Sequence, residues 1–334
     1  MTRRRILLGL AACGVLVLCR AQDAQFTQFY ASPTYMSPGF VGTGLQTRMG
    51  LAYRDQWPAI PGAFVTANFA IDHYLSEVNS GVGLLVTHDK AGTGGLRYTS
   101  ISGQYAYEIE LKRKVFIRPA LQLGWVTHAV DYSALIFGDQ LARGSTVGTY
   151  DNMQGSSIGY PDMGTGALFF TPRMWLGVAL HHLNKPNQSL LQREAYVPRK
   201  FSMHGGYRIA MRTPVIRQHP QSVVLAFNYK AQDKYDQLDL GGYFEREPFF
   251  AGMWYRGIPL LKSYAPGYGN TDAIALLMGV IVNDMRIGYS YDVTMSGLAG
   301  RTGGAHELTI GYELAQRHKK RSASKRRIVP CAKF

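Results

Sequence analysis

Strict alternation of apolar and polar residues recurs in short segments along the chain, and this pattern restricts the fold more than any other feature. In the segment MRIGYSYDVTM, Ile287, Tyr289 and Tyr291 alternate with Gly288 and Ser290. Side chains two residues apart on a β-strand point to the same face. The segments HELTIGYEL and LQTRMGLAYRDQW show the same alternation. Each predicted strand therefore has one apolar and one polar face.

Fourteen segments fit this pattern and are predicted to be strands. They lie near residues 44–57, 62–74, 79–89, 95–108, 114–131, 163–170, 172–183, 199–211, 221–231, 236–246, 248–258, 271–282, 285–295 and 305–314. An even number of antiparallel strands is typical of a closed bacterial outer-membrane barrel. Soluble β-sandwiches and propellers also have alternating strands, so the pattern by itself leaves those architectures open.

The connections between the predicted strands differ in length in a regular way. The short ones, such as EIELKRK, TP, EREP and ND, follow even-numbered strands, whereas the long ones, 132–162, 184–198, 259–270 and 296–304, follow odd-numbered strands. Outer-membrane barrels have short periplasmic turns and longer external loops. A bilayer offers no hydrogen-bond partners, so a membrane-spanning sheet must close on itself. We therefore predict a transmembrane β-barrel with both termini in the periplasm.

The aromatic content suits the two interfaces of a membrane. The chain has 21 Tyr, 15 Phe and 4 Trp, and Trp57, Trp125 and Trp254 fall on or at the ends of predicted strands. Tyr and Trp concentrate at headgroup level in membrane proteins. These residues are accordingly candidates for the aromatic girdles.

The first 21 residues resemble a secretory signal peptide. Arg3–Arg5 form a basic start, Ile6–Leu18 form an apolar core, and Ala21 offers a small residue at the cleavage point. Lipid attachment at Cys13 is an alternative, but that site would cut through the apolar core. Removal of the leader leaves only Cys331, which excludes an intrachain disulfide in the remaining chain.

The formal charge of +14 is concentrated at the two ends of the chain. Four arginines lie in the leader, and eight Lys or Arg residues without any Asp or Glu follow Leu314. A uniformly basic nucleic-acid-binding surface is therefore not indicated, and no nucleic-acid partner is predicted. The basic tail is either a solvated extension or a docking arm for an acidic partner or anionic lipid headgroups. Its candidate partner-binding residues are Arg317, Lys319, Lys320, Arg321, Lys325, Arg326 and Arg327.

Motifs that would indicate catalysis or a cofactor are weak in this sequence. His181 and His182 are adjacent, so on a strand they would face opposite ways and could not hold one metal ion; strand-end positions explain them better. The glycines near Gly92 lack the Lys and Ser or Thr of a phosphate-binding loop. Ser322–Lys325 matches Ser-x-x-Lys only by chance, in a charged tail. No catalytic, metal-binding or cofactor-binding residue is predicted, and no enzyme activity.

Several motifs in order along the chain resemble those of the PorP/SprF family of type IX secretion and gliding-motility membrane proteins. QFTQFY, SPGFVG and YRDQW are followed by GVGLLVTHDKAG, YPDMGTGALFF, HHLNKPNQS, PRKFSMHGGYR, GYSYD and HELTIGYEL. The resemblance covers nearly all of residues 22–314. Its signature residues are Gln25, Phe26, Tyr53, Arg54, Gln56, Trp57, Asp89, Lys90, Pro161, Asp162, His182, Asn184, Pro198 and Arg199.

The resemblance implies an outer-membrane barrel of Bacteroidota that works beside the type IX export machinery and has no known catalytic residues. It implies partners in that machinery: a periplasmic peptidoglycan-binding protein, the ring of lipoprotein and periplasmic subunits, and exported cargo with carboxy-terminal sorting signals, or a particular adhesin. These roles come from the resemblance and not from composition or spacing. The chain departs from simple barrels by running on for twenty residues after Leu314.

Two functions of different classes follow. The first is an anchor that holds secretion components and cargo in the membrane. The second is a diffusion channel for small solutes, because the predicted polar faces would suit a wet lumen. Those faces carry Arg48, Arg54, Arg118, Arg286, Glu307 and Glu313, and Asp89, Lys90 and Asp162 are placed at the rims or in the lumen. A surface enzyme of the outer-membrane lipase kind is a third and weaker alternative.

The predicted organisation is a signal peptide (1–21), an N-terminal periplasmic segment (22–43), the barrel (44–314) and a basic periplasmic tail (315–334). The N-terminal segment, QDAQFTQFYASPTYMSPGFVG, has neither helical nor strand periodicity, and its two prolines keep it out of the sheet. We predict that it packs inside or across the periplasmic mouth and buries Phe26, Phe29, Tyr30 and Tyr35. A loose lead-in is the alternative.

Overall fold

The computed structural model describes residues 23–44, 47–93, 95–144, 148–150, 155–190, 194–212, 221–258, 263–265, 268–297 and 299–314. The predicted leader and the predicted basic tail, with all of its candidate docking residues, lie outside the described residues. No helix within these ranges is long and apolar enough to cross a membrane.

The structure is built almost entirely from antiparallel strands. They are β1 (Arg48–Gln56), β2 (Phe64–Leu75), β3 (Ser80–Ala91), β4 (Leu96–Tyr107), β5 (Ile109–Lys112), β6 (Val115–Ala129), β7 (Ser157–Phe170), β8 (Met174–His181), β9 (Lys200–Arg212), β10 (Gln221–Gln232), β11 (Tyr235–Arg246), β12 (Phe249–Gly257), β13 (Ser263–Ala265), β14 (Tyr268–Gly269), β15 (Thr271–Val282), β16 (Met285–Thr294) and β17 (Ala305–Glu313). Short helices are α1 (Pro33–Met36) and α2 (Gly138–Arg143), with 3-10 turns at Pro38–Phe40 and Tyr132–Ala134.

Fourteen of these strands form one closed ring. Each pairs with its neighbours along the chain, β4 pairs directly with β6, and β12 with β15. The ring closes where β1 pairs with β17, from Arg48 opposite Glu313 to Gln56 opposite Ala305. The short strand β5 extends the β4–β6 hairpin, and β13 and β14 form a separate two-stranded hairpin. The predicted fold class, an all-β barrel of fourteen antiparallel strands, is confirmed.

The apolar face of the wall points outward. In β6, Leu121, Leu123 and Trp125 are 59%, 63% and 56% exposed, while Gln122 and Val126 between and beside them are buried. A soluble sandwich or propeller would bury its apolar faces. An outward apolar face and a buried polar face are instead what a lipid-facing barrel wall requires.

The strand predicted at 163–170 begins earlier, at Ser157, and this corrects the sequence prediction. The added residues include Pro161, and proline lacks the N–H that a central strand uses. Residues 157–164 of β7, however, pair with β6 alone, since pairing with β8 starts at Thr165. Pro161 therefore lies on a locally open edge, where no backbone donor is needed. The connection before β7 shortens accordingly to residues 130–156.

The two ends of the barrel carry connections of different length, as the sequence predicted. The long connections are 130–156, 182–199, 258–270 and 295–304, and all lie at one end, called here the long-connection end. The turns 76–79, 171–173, 247–248 and 283–284 lie at the other, called here the short-turn end. The chain enters β1 and leaves β17 at the short-turn end.

The three tryptophans proposed for the girdles occupy different environments. Trp125 is exposed on the outer face, and Trp57, just after β1, packs edge-to-face on Phe64 with ring centroids 5.6 Å apart. Trp254 is instead buried inside the ring, so its assignment to a girdle was wrong. Its neighbour Met253 is exposed, and the alternation of β12 therefore turns Trp254 inward.

Candidate functional site: the lumen

Residues 23–44, called here the luminal segment, lie inside the ring of strands. The segment bonds to inward-facing side chains on β1, β2, β4, β6, β9, β10, β12, β16 and β17, which surround it on all sides. Phe26, Phe29, Tyr30 and Phe40 are buried, and Tyr35 is partly buried. The lumen is therefore filled by the protein's own chain in this structure.

The luminal segment runs the length of the barrel. Asp23 contacts Lys200 and Gln232, which stand at the ends of β9 and β10 on the long-connection side. Gly42 contacts Asp72, near the end of β2 on the short-turn side. The segment was predicted to pack inside or across the mouth where β1 begins, and in the structure it extends from that mouth to the opposite one. The chain must return from Asp23 to the start of β1, and these two points lie at opposite ends of the ring.

A network of buried charges holds the first part of the luminal segment. The Arg54 guanidinium lies 2.7 Å from Asp292 and 3.2 Å from Glu307, and Arg256 lies 3.0 Å from Asp292 and 3.1 Å from Asp239. All five of these side chains are almost completely buried. Buried ions are stable only when they are paired and fully hydrogen-bonded.

Thr27 completes this network from inside the lumen. Its hydroxyl oxygen accepts hydrogen bonds from Arg54 at 2.7 Å and Arg256 at 2.8 Å, and the hydroxyl lies 2.7 Å from Asp292 as donor. The Glu307 carboxylate accepts the backbone N–H groups of Thr27 at 2.7 Å and Gln28 at 2.8 Å. The wall charges and the segment therefore satisfy each other.

The middle of the segment forms the apolar core of the protein. The Phe29 ring packs edge-to-face on Trp254 with centroids 4.6 Å apart, and the Tyr30 ring lies 5.5 Å from that of Tyr243. Further along, the Phe40 ring lies 5.0 Å from the His204 ring. Aromatic pairs at these separations stabilise beyond simple burial. The lumen is thus a packed core built around an inserted peptide.

At the short-turn end, a second set of wall charges holds the main chain of the segment. Arg48 pairs with Asp72 at 2.9 Å, and Asp72 also accepts the Gly42 N–H at 2.7 Å. Arg118 pairs with Glu108 at 2.8 Å and donates to the Val41 carbonyl. Gly42 has a φ of +69°, and an added Cβ would come within 2.5 Å of the wall backbone. Only glycine fits here without strain.

At the long-connection end, Asp23 lies in a cluster with His182, Asp162, Lys200 and Gln232, called here the Asp23 cluster. The His182 ring lies 3.1 Å from Asp23 through Nε2 and 2.8 Å from Asp162 through Nδ1. Lys200 Nζ lies 3.0 Å from Asp23, and Gln232 donates to Asp23 at 3.1 Å. Three elements of the wall therefore hold one carboxylate of the segment.

The charges of this cluster shift the pKa values of its members. Burial by itself disfavours the imidazolium of His182, but the two carboxylates outweigh burial and raise its pKa to about 10. Burial likewise opposes ionisation of Asp23, but Lys200 and His182 outweigh it and hold the pKa of Asp23 well below its usual range. These shifts favour the carboxylate form of Asp23 and the imidazolium form of His182 at neutral pH.

The expectation that His181 and His182 face opposite ways was wrong. His181 ends β8 and faces inward, and His182 has a φ of +56°, which takes it out of the strand. Both rings are consequently buried, with centroids 6.5 Å apart. Within the described residues, no three His, Cys, Asp or Glu side chains are placed to hold a metal ion.

The structure brings some of the signature residues to the luminal segment and leaves others elsewhere. Arg54, Asp162 and His182 join the clusters described above, and Gln25 and Phe26 belong to the segment itself. The remaining residues line the wall or its connections: Tyr53 and Lys90 are exposed, Gln56 contacts Arg54, Trp57 packs on Phe64, Asp89 accepts from Thr66, Asn184 donates to the Pro161 carbonyl, the Pro198 carbonyl accepts from Gln232, and Arg199 donates to the Leu183 carbonyl.

Sequence reasoning missed four residues that hold the network together: Asp23, Asp239, Arg256 and Asp292. Asp292 lies on the polar face of a correctly predicted strand, and Arg256 and Asp239 also occupy strand positions. Their burial was the missing information, because the polar face of a barrel strand can equally line open water. The available signal was the presence of charged residues on the polar faces of several predicted strands.

A closed antiparallel wall with an apolar exterior and a polar interior defines an outer-membrane β-barrel protein. The model of the family described as type IX secretion system membrane protein PorP/SprF matches residues 18–312, and the chain therefore belongs to this family. Among curated proteins, none matches the chain.

Solved barrels resemble the chain only loosely. The outer membrane protein Omp33 of Acinetobacter baumannii is 7% identical over 82% of this chain and 100% of its own, with a TM-score of 0.44. The P. putida toluene transporter TodX is 10% identical over 85% of this chain and 93% of its own, with a TM-score of 0.43. These likenesses, with TM-scores below 0.5, do not bear on the function of the chain.

Proposed function

We propose that this protein is a non-enzymatic anchor of the type IX secretion and gliding machinery. In this role the barrel sits in outer-membrane lipid, holds periplasmic components at one end and supports export or surface attachment of cargo with carboxy-terminal sorting signals at the other. Membership of the PorP/SprF family supports a role in the type IX secretion machinery. The observation that supports the anchoring role is the luminal segment, because among the described residues it occupies the interior through which solutes would have to pass.

The orientation that we propose places the short-turn end in the periplasm and the long-connection end at the cell surface. Outer-membrane barrels generally have this arrangement. The basic tail would then begin in the periplasm, since β17 ends at the short-turn end. Its seven clustered basic residues would meet an acidic surface of a periplasmic peptidoglycan-binding protein or ring subunit.

Deletion of residues 315–334 tests this role. We expect the barrel to remain in the outer membrane, while copurification with periplasmic type IX subunits falls and cargo accumulates in the periplasm. A control variant that keeps the tail composition but scrambles its order should retain copurification if the contact is electrostatic. Unchanged copurification after deletion would remove the docking arm from the proposal.

A conductance measurement distinguishes the anchor from the alternative function, a diffusion channel. The purified barrel in a planar bilayer should be electrically silent if it is an anchor, because the luminal segment fills the interior. Steady single-channel steps from the intact protein would instead support diffusion of small solutes and contradict the anchoring role.

A further inference from the structure

The wall of the lumen binds the luminal segment through main-chain atoms as well as side chains. Glu307 accepts the N–H groups of two consecutive residues, Thr27 and Gln28. The Gln104 side chain donates to the Thr34 carbonyl at 2.9 Å. Backbone amides and carbonyls are present in every peptide, so these wall groups recognise polypeptide as a chemical class.

The same recognition continues at the short-turn end. Arg48 donates to the Phe40 carbonyl at 3.2 Å, Arg118 donates to the Val41 carbonyl, and Asp72 accepts the Gly42 N–H. Each of these wall side chains is almost completely buried. A buried charge left without its partners is strongly unfavourable, so the lumen requires an occupant with amide groups at these places.

Side-chain contacts restrict which peptide sequences could occupy the lumen. Residues 24–44 include no Lys, Arg, Asp or Glu. Aromatic rings are required near Trp254, and a small residue is required at Gly39, where an added Cβ would lie 2.9 Å from the Leu168 Cβ. Thr27 must offer a hydroxyl to the charged network. Beyond the Asp23 carboxylate at its start, the occupant is therefore an uncharged peptide with aromatic and small residues in a defined order.

The luminal segment is joined to the barrel at one end only. It continues into β1 at the short-turn end, whereas Asp23 stands at the opposite mouth and is held there by non-covalent contacts of the Asp23 cluster. If the leader is cleaved after Ala21, as the sequence predicts, the new amino terminus is Gln22, one residue before Asp23. A second peptide that enters this mouth with its carboxy-terminal end first would run in the same direction as the luminal segment.

We propose that the lumen is a polypeptide-binding site and that residues 23–44 are its intramolecular occupant. A segment of another polypeptide can replace it, if that segment contains aromatic residues and carries one carboxylate at its start and no charge beyond it. The replacing segment would use the same wall groups and the same aromatic contacts at Trp254. This inference goes beyond the anchoring role and does not depend on which secretion component the barrel contacts.

A barrel with a cleavable connection tests the proposal. A protease recognition sequence in place of residues 45–46 would let the barrel fold with its segment attached and then be cut. We expect a fluorescent synthetic peptide of residues 22–44 to exchange into the cut barrel in a saturable way, and not into the uncut barrel. The Thr27→Val peptide should bind about tenfold or more weakly, since it loses hydrogen bonds to charged groups. The Thr27→Ser peptide, which keeps the hydroxyl, is the matched control.

Two outcomes would overturn the proposal. In the first, the cut barrel keeps its heat-resistant folded mobility but never takes up the peptide, or takes up a scrambled peptide equally well. In the second, the barrel unfolds when the connection is cut, because the segment would then be an inseparable structural element. Selective, saturable exchange supports the proposal.

Discussion

The outward and inward faces of the same strands are stabilised in different ways. Outward residues such as Leu121 and Leu123 need only be apolar, because lipid makes no directional demands on them. Inward residues such as Arg54 and Asp292 are buried and paired with groups from distant strands and from the luminal segment. Substitutions on the outer face should therefore act independently, and those on the inner face should be strongly coupled.

The largest effect is expected from Arg54→Ala on the inner face. The change leaves Asp292 and Glu307 buried with one positive partner removed, and loses the contact with Thr27. Breaking a buried ion network costs about 3–5 kcal/mol. Urea unfolding of the barrel in lipid vesicles would measure this loss in the free energy of unfolding.

Arg97→Ala is the matched control for this prediction. Arg97 also pairs with a carboxylate, Asp131 at 3.8 Å, but both side chains are largely exposed. An exposed pair contributes little to stability, so this variant should be nearly neutral. Similar losses for the two arginines would contradict the difference that we draw between buried network and surface.

A somewhat smaller effect is expected from a charge on the outer face. Leu123 lies near the middle of β6 and is 63% exposed toward the surroundings of the barrel. Leu123→Arg should lower the free energy of unfolding in lipid by about 2–4 kcal/mol, the cost of an arginine near the bilayer midplane. Leu123→Met keeps the apolar volume and should be nearly neutral. Equal stability of the arginine variant would mean that this face does not meet lipid.

The smallest effect concerns the Asp23 cluster, where the inner face reaches the mouth. Asp23→Asn removes the carboxylate shared by His182 and Lys200 and should cost roughly 1–2 kcal/mol at neutral pH, because the site is partly exposed. Lys200→Met is a second variant that removes the ammonium partner of Asp23, and it should lower the free energy of unfolding by a similar amount.

The difference in the free energy of unfolding between the parent and Asp23→Asn should depend on pH, and the pKa shifts give the direction of that dependence. The pKa of His182 is raised to about 10, so its stabilising contribution is complete below its ordinary pKa and is lost as pH rises through about 10. The pKa of Asp23 is lowered, so its contribution is present above its ordinary value and is lost as pH falls through the lowered pKa. The stability difference between the parent and Asp23→Asn should therefore be largest between the ordinary pKa values of aspartate and histidine. It should shrink as pH falls below the first value, and as pH rises above the second toward about 10. A difference that does not vary with pH would exclude this ionised cluster.

Local pattern predicted the wall well because the side-chain period of a strand is a property of neighbouring residues. The strand predicted at 271–282 has those bounds in the structure, and most others agree to within a few residues. β7 is the exception, because the tolerance of Pro161 depends on the absence of β8 beside it. Whether β8 lies beside Pro161 depends on the pairing between strands, which the residues around Pro161 do not determine.

The sequence by itself determined the strand count, the direction of the two faces and the unequal ends, since alternation and turn residues are local signals. Only the tertiary structure decided what fills the lumen. Thr27 and Glu307 are 280 residues apart in the chain, and they meet because the ring closes between β1 and β17. Ring closure sets which inward charges face each other and removes them from water. The polar faces predicted from the sequence are equally compatible with an open channel. The structure instead shows the luminal segment between them.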